Sequence, residues 1–377
     1  AFQGSRYNSI PRQILVVMQF TVSLSLIIGT IVVYRQILFA KDRPTGYTRE
    51  GLVTMPLSED LKGHYDALRA DLLRTGAVTE MSESSQPITH FDNNNSLNWR
   101  GKDPNLVVFF RNVNVTPEFG RTVGWKVIDG RDFSRAFADS NSMILTEAAV
   151  KTIGIPHPVG ELMKFDGKER KVIGVVQDLL TNSPNETIEP AIFLGDGYLS
   201  TITIRMKAGI PKQAAMTGIE NVFKKYNPGS PFIFQYNEDV YARKFAPEER
   251  VANLSAVFAG MAIFISCLGL FGLASFVAEQ RTKEIGVRKV LGATMLSIWK
   301  MLSTQFVRLV LISLCISVPL SYYGMNRWLQ DYTYRDNISW WIFAAAGAGI
   351  LLITLFTVSF QSIKAAFMNP VDSLRSE

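Results

Sequence analysis

Residues 279–294 read EQRTKEIGVRKVLGAT, and they follow directly on FISCLGLFGLASFVA at 264–278. An uncharged apolar run stops there and a dense run of charge begins. Such a junction marks a helix leaving a membrane, and the rest of the chain can be ordered around it. Four runs contain no Lys, Arg, Asp or Glu: 13–34, 251–278, 309–326 and 337–363. A helix needs about 20 such residues to cross the hydrocarbon core. Three runs reach that length directly. The third reaches it by extending back through Arg308 to residue 298, because an arginine near a helix end can snorkel to the interface. Buried helices of a large soluble protein are the competing reading, and the length of the runs argues against it. The first run contains Gln19 and lacks a small-residue cleavage pattern, so it reads as a span and not as a cleaved signal peptide.

Lys and Arg near the span ends set the orientation. Arg281, Lys283, Arg288, Lys289 and Lys300 lie between spans two and three, Arg6 and Arg12 precede span one, and Lys364 and Arg375 follow span four. The opposite short loop has Arg327 and Arg335 with Asp331 and Asp336 beside them, and Tyr322, Tyr323, Trp328, Trp340 and Trp341 cluster at that interface. Both termini and the segment after span two are therefore expected in the cytoplasm of a bacterial inner-membrane protein. The fold class expected is a membrane protein with four transmembrane α-helices and a large α+β extracytoplasmic domain inserted between helices 1 and 2. In order, this gives a cytoplasmic lead-in (1–12), helix 1 with a stalk (13–40), the inserted domain (41–240), and a stalk with helix 2 (241–278). A cytoplasmic segment (279–297), helix 3 (298–326), a short outer loop (327–338), helix 4 (339–363) and a cytoplasmic tail (364–377) complete it.

Within the insert, strand-like runs occur at 51–57, 106–115, 143–146, 171–176, 201–206 and 231–236. Helical patterns fall at 64–74, 147–154 and 211–226. ELMKFDGKERKVIGVV reads as a hairpin, since Asp166-Gly167 can supply the positive φ of a tight turn. Residues 90–105, HFDNNNSLNWRGKDPN, read as a polar loop.

Chemistry is sparse. The chain has three histidines, and only His90 and Asp92 stand at a spacing suited to a metal, with no further His or Cys ligand nearby. There is no HExxH, no GxSxG and no GxxxxGK[ST] phosphate loop, so the chain is not expected to be an enzyme, to bind a cofactor or to hydrolyse ATP itself. The net charge of +6 forms no basic stripe interleaved with aromatics, which excludes nucleic acid as an expected partner. Cys267 and Cys315 both lie in apolar spans and read as small apolar side chains.

Read as a helix, the opening stretch is amphipathic. Ile285, Val287, Val290, Leu291 and Leu296 are its apolar positions, and Arg281, Lys283, Glu284, Arg288 and Lys289 its polar ones. Glu284 and Arg288 stand four apart with the acid first, the favourable order for a surface ion pair. Gly292 is a natural C-cap, after which Ala293-Thr294 can start the next helix. On these grounds alone, the stretch is either a positive-inside loop on anionic headgroups or a contact helix.

The string EQRTKEIGVRKVLGAT resembles the motif of the MacB/FtsX-type permeases of ABC transporters, the type VII or mechanotransmission superfamily. FISCLGLFGLASFVA resembles that family's second span, NPVDSLRSE at 369–377 resembles its C-terminal tail, and 41–240 more loosely resembles its periplasmic core domain. The layout of one span, a large outside domain and three spans also matches. Some members are double-length, and a start at Ala1 suits the second unit of such a protein as well as a trimmed single unit.

The resemblance implies that the segment after span two docks in a separate cytoplasmic ABC ATPase, which uses ATP and Mg. Glu279, Arg281, Lys283, Glu284, Ile285, Val287, Arg288, Lys289 and Leu291 would form that contact, with Asn369, Pro370, Asp372, Leu374 and Arg375 supporting it. It further implies a second permease unit (homodimer, heterodimer or fused half), allows a periplasmic adaptor, and assigns export or extraction of a peptide, drug or lipoprotein. An FtsX-like regulator of a cell-wall hydrolase and a membrane-anchored sensor are the alternative functions. Ala256 with Gly260, and Ala345 with Gly349, are expected to permit close helix contacts or to face lipid.

Overall fold

The computed structural model describes residues 10–181, 187–281, 284, 287, 288 and 291–367. The chain divides into two units, residues 1–39 with 247–377 and residues 40–246.

The first unit is built from long apolar helices at Ile10–Lys41, Ala246–Gln280, Met295–Leu329 and Trp340–Phe367. All four are long and apolar enough to cross a membrane. The first places Val16, Phe20, Leu24, Ile28 and Val32 on one buried stripe, four residues apart, which is the helical period. Leu270, Leu273, Phe306, Val310, Ile342 and Ile350 meet it from the other helices. Two polar contacts cross this core: the hydroxyls of Ser23 and Ser266 lie 2.9 Å apart, and Ser313 donates to the Val17 carbonyl at 3.1 Å. Trp299 Nε1 donates to Ser359 Oγ at 2.8 Å, tying the start of the third helix to the fourth. Of the small residues expected at helix contacts, Ala256 and Ala345 are exposed, and a Cβ on Gly260 or Gly349 would meet nothing within 4 Å. Close contacts fall at other glycines: a Cβ on Gly347 would lie 3.1 Å from Leu314, and one on Gly269 2.8 Å from Gln19 Oε1.

The second unit contains two sheets. Strands β1 (Leu52–Pro56), β2 (Val78–Ser84), β10 (Thr201–Met206) and β11 (Gln235–Tyr236) form an antiparallel sheet in the order β11-β1-β10-β2. Helix Tyr65–Arg74 joins β1 to β2 and helix Lys212–Tyr226 joins β10 to β11. This is a split β-α-β arrangement in which β10 lies between β1 and β2. Leu68, Leu72, Ile219 and Phe223 of the helices pack on Val53, Met81, Ile202 and Ile204 of the sheet.

A seven-stranded sheet is inserted between β2 and β10. It contains β3 (Asn94–Asn98), β4 (Phe109–Asn114), β5 (Val127–Gly130), β6 (Ser142–Thr146), β7 (Leu162–Phe165), β8 (Lys168–Val176) and β9 (Ala191–Leu194). Its order is β5-β8-β6-β9-β4-β3-β7, and β7 also pairs with β8, so the sheet closes on itself. Alternate residues face two different cores. Met143, Leu145, Val172, Ile192 and Leu194 enter one, while Ile144, Ile173, Val176 and Phe193 enter the other. Burial on both faces explains why MILT, KVIGVV and AIFL read as continuous apolar runs.

The hairpin forms where Asp166 and Gly167 take φ of 49° and 77°, with Phe165 opposite Lys168. Thr146 caps helix Glu147–Ile153 by accepting from Ala149 N at 3.3 Å. Two expectations change. The polar loop at 90–105 contains β3, because Leu97 is fully buried and its neighbours pair with β4. The strand at 231–236 shrinks to its last two residues, since Phe232 and Phe234 stack in a row between Phe223 and Tyr236 without joining the ladder.

Candidate functional site at the exit of the second apolar helix

The second apolar helix carries Glu279 on its last turn, exposed, and Arg281 N closes that turn on the Val277 carbonyl at 3.1 Å. Beyond it Glu284, Val287 and Arg288 are helical. Arg288 Nη2 lies 2.8 Å from Glu284 Oε1, the four-residue pairing anticipated from the spacing. Exposed pairs of this kind stabilise a helix by about 0.3–0.5 kcal/mol, which is too little to explain the segment by itself.

The turn that follows is specific. Gly292 adopts φ 87°, Ala293 N reaches back to the Arg288 carbonyl at 2.9 Å, and Leu291 N bonds the Val287 carbonyl at 3.0 Å. A left-handed glycine with a six-residue return bond ends a helix in a Schellman turn. Thr294 then caps the third apolar helix by accepting from Ser297 N at 3.4 Å. Two cap devices thus fall within the three residues 292–294, ending one helix and starting the next.

Apolar side chains are exposed in this stretch. Val287 is 49% exposed, Leu291 79% and Leu296 70%. These three exposed aliphatic residues share a short stretch of chain with the exposed Glu284–Arg288 pair, a composition suited to a contact with a charged rim. Of the residues anticipated here, Lys283, Ile285 and Lys289 lie outside the described residues, as do Asn369, Pro370, Asp372, Leu374 and Arg375. Leu296 is an apolar position of the opening stretch outside the anticipated contact residues, and it is exposed two residues past the Thr294 cap. Nearby, the Arg12 guanidinium lies 4.3 Å from the Phe276 ring centroid, holding the start of the first helix against the end of the second.

Among the described residues no group of three or more His, Cys, Asp or Glu is placed to hold a metal ion. His90 Nε2 and Asp92 Oδ1 are 2.6 Å apart, as an exposed surface pair.

Four apolar helices, with a large α+β domain between the first and second, define a multi-pass membrane protein. Residues 17–222 match the family pattern of the MacB-like periplasmic core domain, and residues 256–370 that of the FtsX-like permease C-terminal region. The first match covers more than half of the chain, which therefore belongs to the MacB-like, FtsX-like family of ABC transporter permeases. The macrolide export ATP-binding/permease protein MacB of Chromobacterium violaceum is 25% identical over 296 residues, covering 74% of this chain and 45% of that protein. A probable syringafactin export ATP-binding/permease protein of Pseudomonas syringae pv. syringae is 25% identical over 299 residues, 72% of this chain and 45% of the relative. The chain thus spans about half the length of the curated relatives it matches. The crystal structure of the periplasmic region of MacB from Actinobacillus actinomycetemcomitans aligns with a TM-score of 0.39 at 14% identity, over 52% of this chain and 94% of that one.

Proposed function

We propose that this chain is the permease part of an ABC transporter, in which an ATPase drives movements of the periplasmic domain to export or extract a peptide, drug or lipoprotein. The observation that carries this reading is the FtsX-like region with Val287 and Leu291 exposed beside the Glu284–Arg288 pair at the exit of a membrane helix. ATP and Mg are used by the ATPase, on a partner chain, and this chain binds no cofactor. Names that join ATP binding, permease and export in its relatives support the same reading.

The mechanism follows from helix length. ATP binding closes a pair of ATPase subunits, and each carries one contact segment with it. Helix Ala246–Gln280 is continuous over 35 residues, roughly 50 Å at 1.5 Å per residue, so displacement of its Gln280 end is passed along its whole length. The helix begins at Ala246 after helix Asn237–Arg243, with Lys244 and Phe245 between them. Motion is thus delivered to the domain along the chain and needs no polar path along the spans.

Arg12, Arg281, Arg288 and Lys300 at one set of helix ends, with exposed Tyr322, Tyr323, Trp340 and Trp341 at the other, support cytoplasmic termini in a bacterial inner membrane. A second permease unit and a periplasmic adaptor complete the proposed assembly.

The test is copurification from mild detergent followed by an ATPase assay, comparing wild type with the double substitution Glu284→Arg and Val287→Asp. Copurification of a P-loop ATPase with wild type and its loss from the variant, with membrane insertion intact, supports the reading. Equal retention by the variant, or no ATPase with either, overturns it.

A further inference from the structure

Phe245 is the last residue before the second apolar helix begins at Ala246, and it is buried. Within the unit of residues 40–246, the run that ends there is bonded along its length. Asn237 Oδ1 accepts from Thr54 Oγ1 at 2.7 Å and Glu238 Oε1 from Gly51 N at 3.0 Å. These bonds tie the start of helix Asn237–Arg243 to β1 and to the residue before it. Tyr241, also buried, donates its hydroxyl to the Ala40 carbonyl at 3.3 Å and meets Phe245 edge-on, with ring centroids 5.4 Å apart.

Lys244 reaches further. Its Nζ donates to the Thr89 carbonyl at 2.5 Å and to the Thr181 carbonyl, 155 and 63 residues away along the chain. Thr89 lies between β2 and β3, and Thr181 follows β8, so both carbonyls belong to connections of the seven-stranded sheet. Both threonines are buried, and Ile88, Phe91 and Leu179 beside them enter one of that sheet's cores. Bonds from an ammonium to a carbonyl are charge-assisted, roughly twice as strong as neutral ones. The run 237–245 is thus bonded to both sheets, to the four-stranded one near its start and to the seven-stranded one through Lys244.

We propose that Lys244 is a positioning residue for transmission, the side chain that passes displacement of the second apolar helix to the seven-stranded sheet. This rests on the permease reading. Lys244 precedes the helix by two residues, at most about 7 Å of chain, so whatever moves Ala246 moves the Lys244 backbone with it. The tie then loads the Thr89 and Thr181 carbonyls, and close-packed cores beside them transmit strain instead of absorbing it. Both acceptors are backbone atoms. An arginine at 244 can therefore keep the tie, while methionine, of similar length but without a donor, cannot.

The experiment is hydrogen exchange read by mass spectrometry on the full chain with its copurified ATPase in mild detergent, with and without ATP, Mg and vanadate. In wild type, peptides covering 86–93 and 177–181 are expected to change their exchange with nucleotide. Lys244→Met is expected to lose that difference while the ATPase stays bound and hydrolyses ATP, and Lys244→Arg to retain it. Lys212→Gln removes the Lys212–Glu238 pair at 2.7 Å and, as a control, leaves the difference in place. Where Lys244→Met fails to fold, Lys244→Gln, a shorter and uncharged donor, is expected to reduce the difference. A merely structural role would raise exchange equally in both nucleotide states and leave the difference intact, and that result overturns the proposal. So does a wild type whose ATPase binds but whose two peptides ignore nucleotide; in both cases the permease reading stands. No ATPase with wild type overturns the reading and the proposal together.

Discussion

Arg35 Nη2 on the first apolar helix lies 2.8 Å from Asp336 Oδ2 in the loop between the third and fourth. The next residue, Gln36, completes the junction: its Nε2 donates to the Tyr334 carbonyl at 2.8 Å, and its Oε1 accepts from Asp336 N at 2.9 Å. Phe39 stacks on Tyr334 with ring centroids 4.5 Å apart. The first span and this loop are held by backbone-directed bonds as well as by charge.

Gln36 is 2% exposed, so Gln36→Leu strands a carbonyl and an amide away from water. The expected cost is about 1–3 kcal/mol, seen as a lower Tm of the detergent-solubilised protein. Arg35→Gln should cost less, because Arg35 is 31% and Asp336 21% exposed at the side chain. A larger effect at Arg35 than at Gln36 would contradict the assignment.

Burial pushes the Glu83 carboxyl on β2 up to about 7. Its folded pKa lies above its unfolded value, so between about pH 4.5 and 7 the folded state holds a proton that the unfolded state has lost. Stability contributed by this group is therefore full below pH 4.5 and declines as pH rises through 7. Glu83→Gln should remove that slope and stabilise the protein at pH 8 by roughly 2–3 kcal/mol. Thermal unfolding of both forms across this range is the check, and parallel curves would refute it.

Leu291→Asp should abolish association with the ATPase while leaving the Tm unchanged, because Leu291 is 79% exposed. Arg288→Ala removes one exposed ion pair, about 0.3–0.5 kcal/mol, and should leave stability within error. Copurification and melting curves on the same preparations separate the two effects.

A Cβ at Gly174 would lie 2.2 Å from the Arg131 carbonyl oxygen. Gly174 is opposite Gly130 where β5 meets β8. Gly174→Ala should push β5 off the sheet edge and cost about 1–3 kcal/mol, whereas Ala at Gly229, with open space around it, should not. Proteolysis at residues 127–131 of the variant but not of wild type is the expected signature.

Much of this was legible along the chain because the relevant physics is local. Apolar runs report spans, since a bilayer demands about 20 uncharged residues in a row. Asp166-Gly167 reports a hairpin, because the φ of a tight turn depends on a few neighbouring residues. The Glu284–Arg288 pair and the Gly292 turn were readable for the same reason.

What escaped the sequence was decided by residues far apart in it. Leu97 looked like part of a polar loop until β4 and β7 flanked it, and Gly347 became a contact glycine only because Leu314 faces it. No local pattern joins Arg49, Arg205 and Lys207 into one cleft, or Gln36 to Asp336. The sequence by itself determined the membrane spans, the helix caps and the charged exit of the second helix, all of which rest on composition and short-range geometry. Only the tertiary structure decided the closed sheet, the span-to-loop junction and the set of backbone carbonyls that receive Arg205, because pairing between distant segments sets which groups meet.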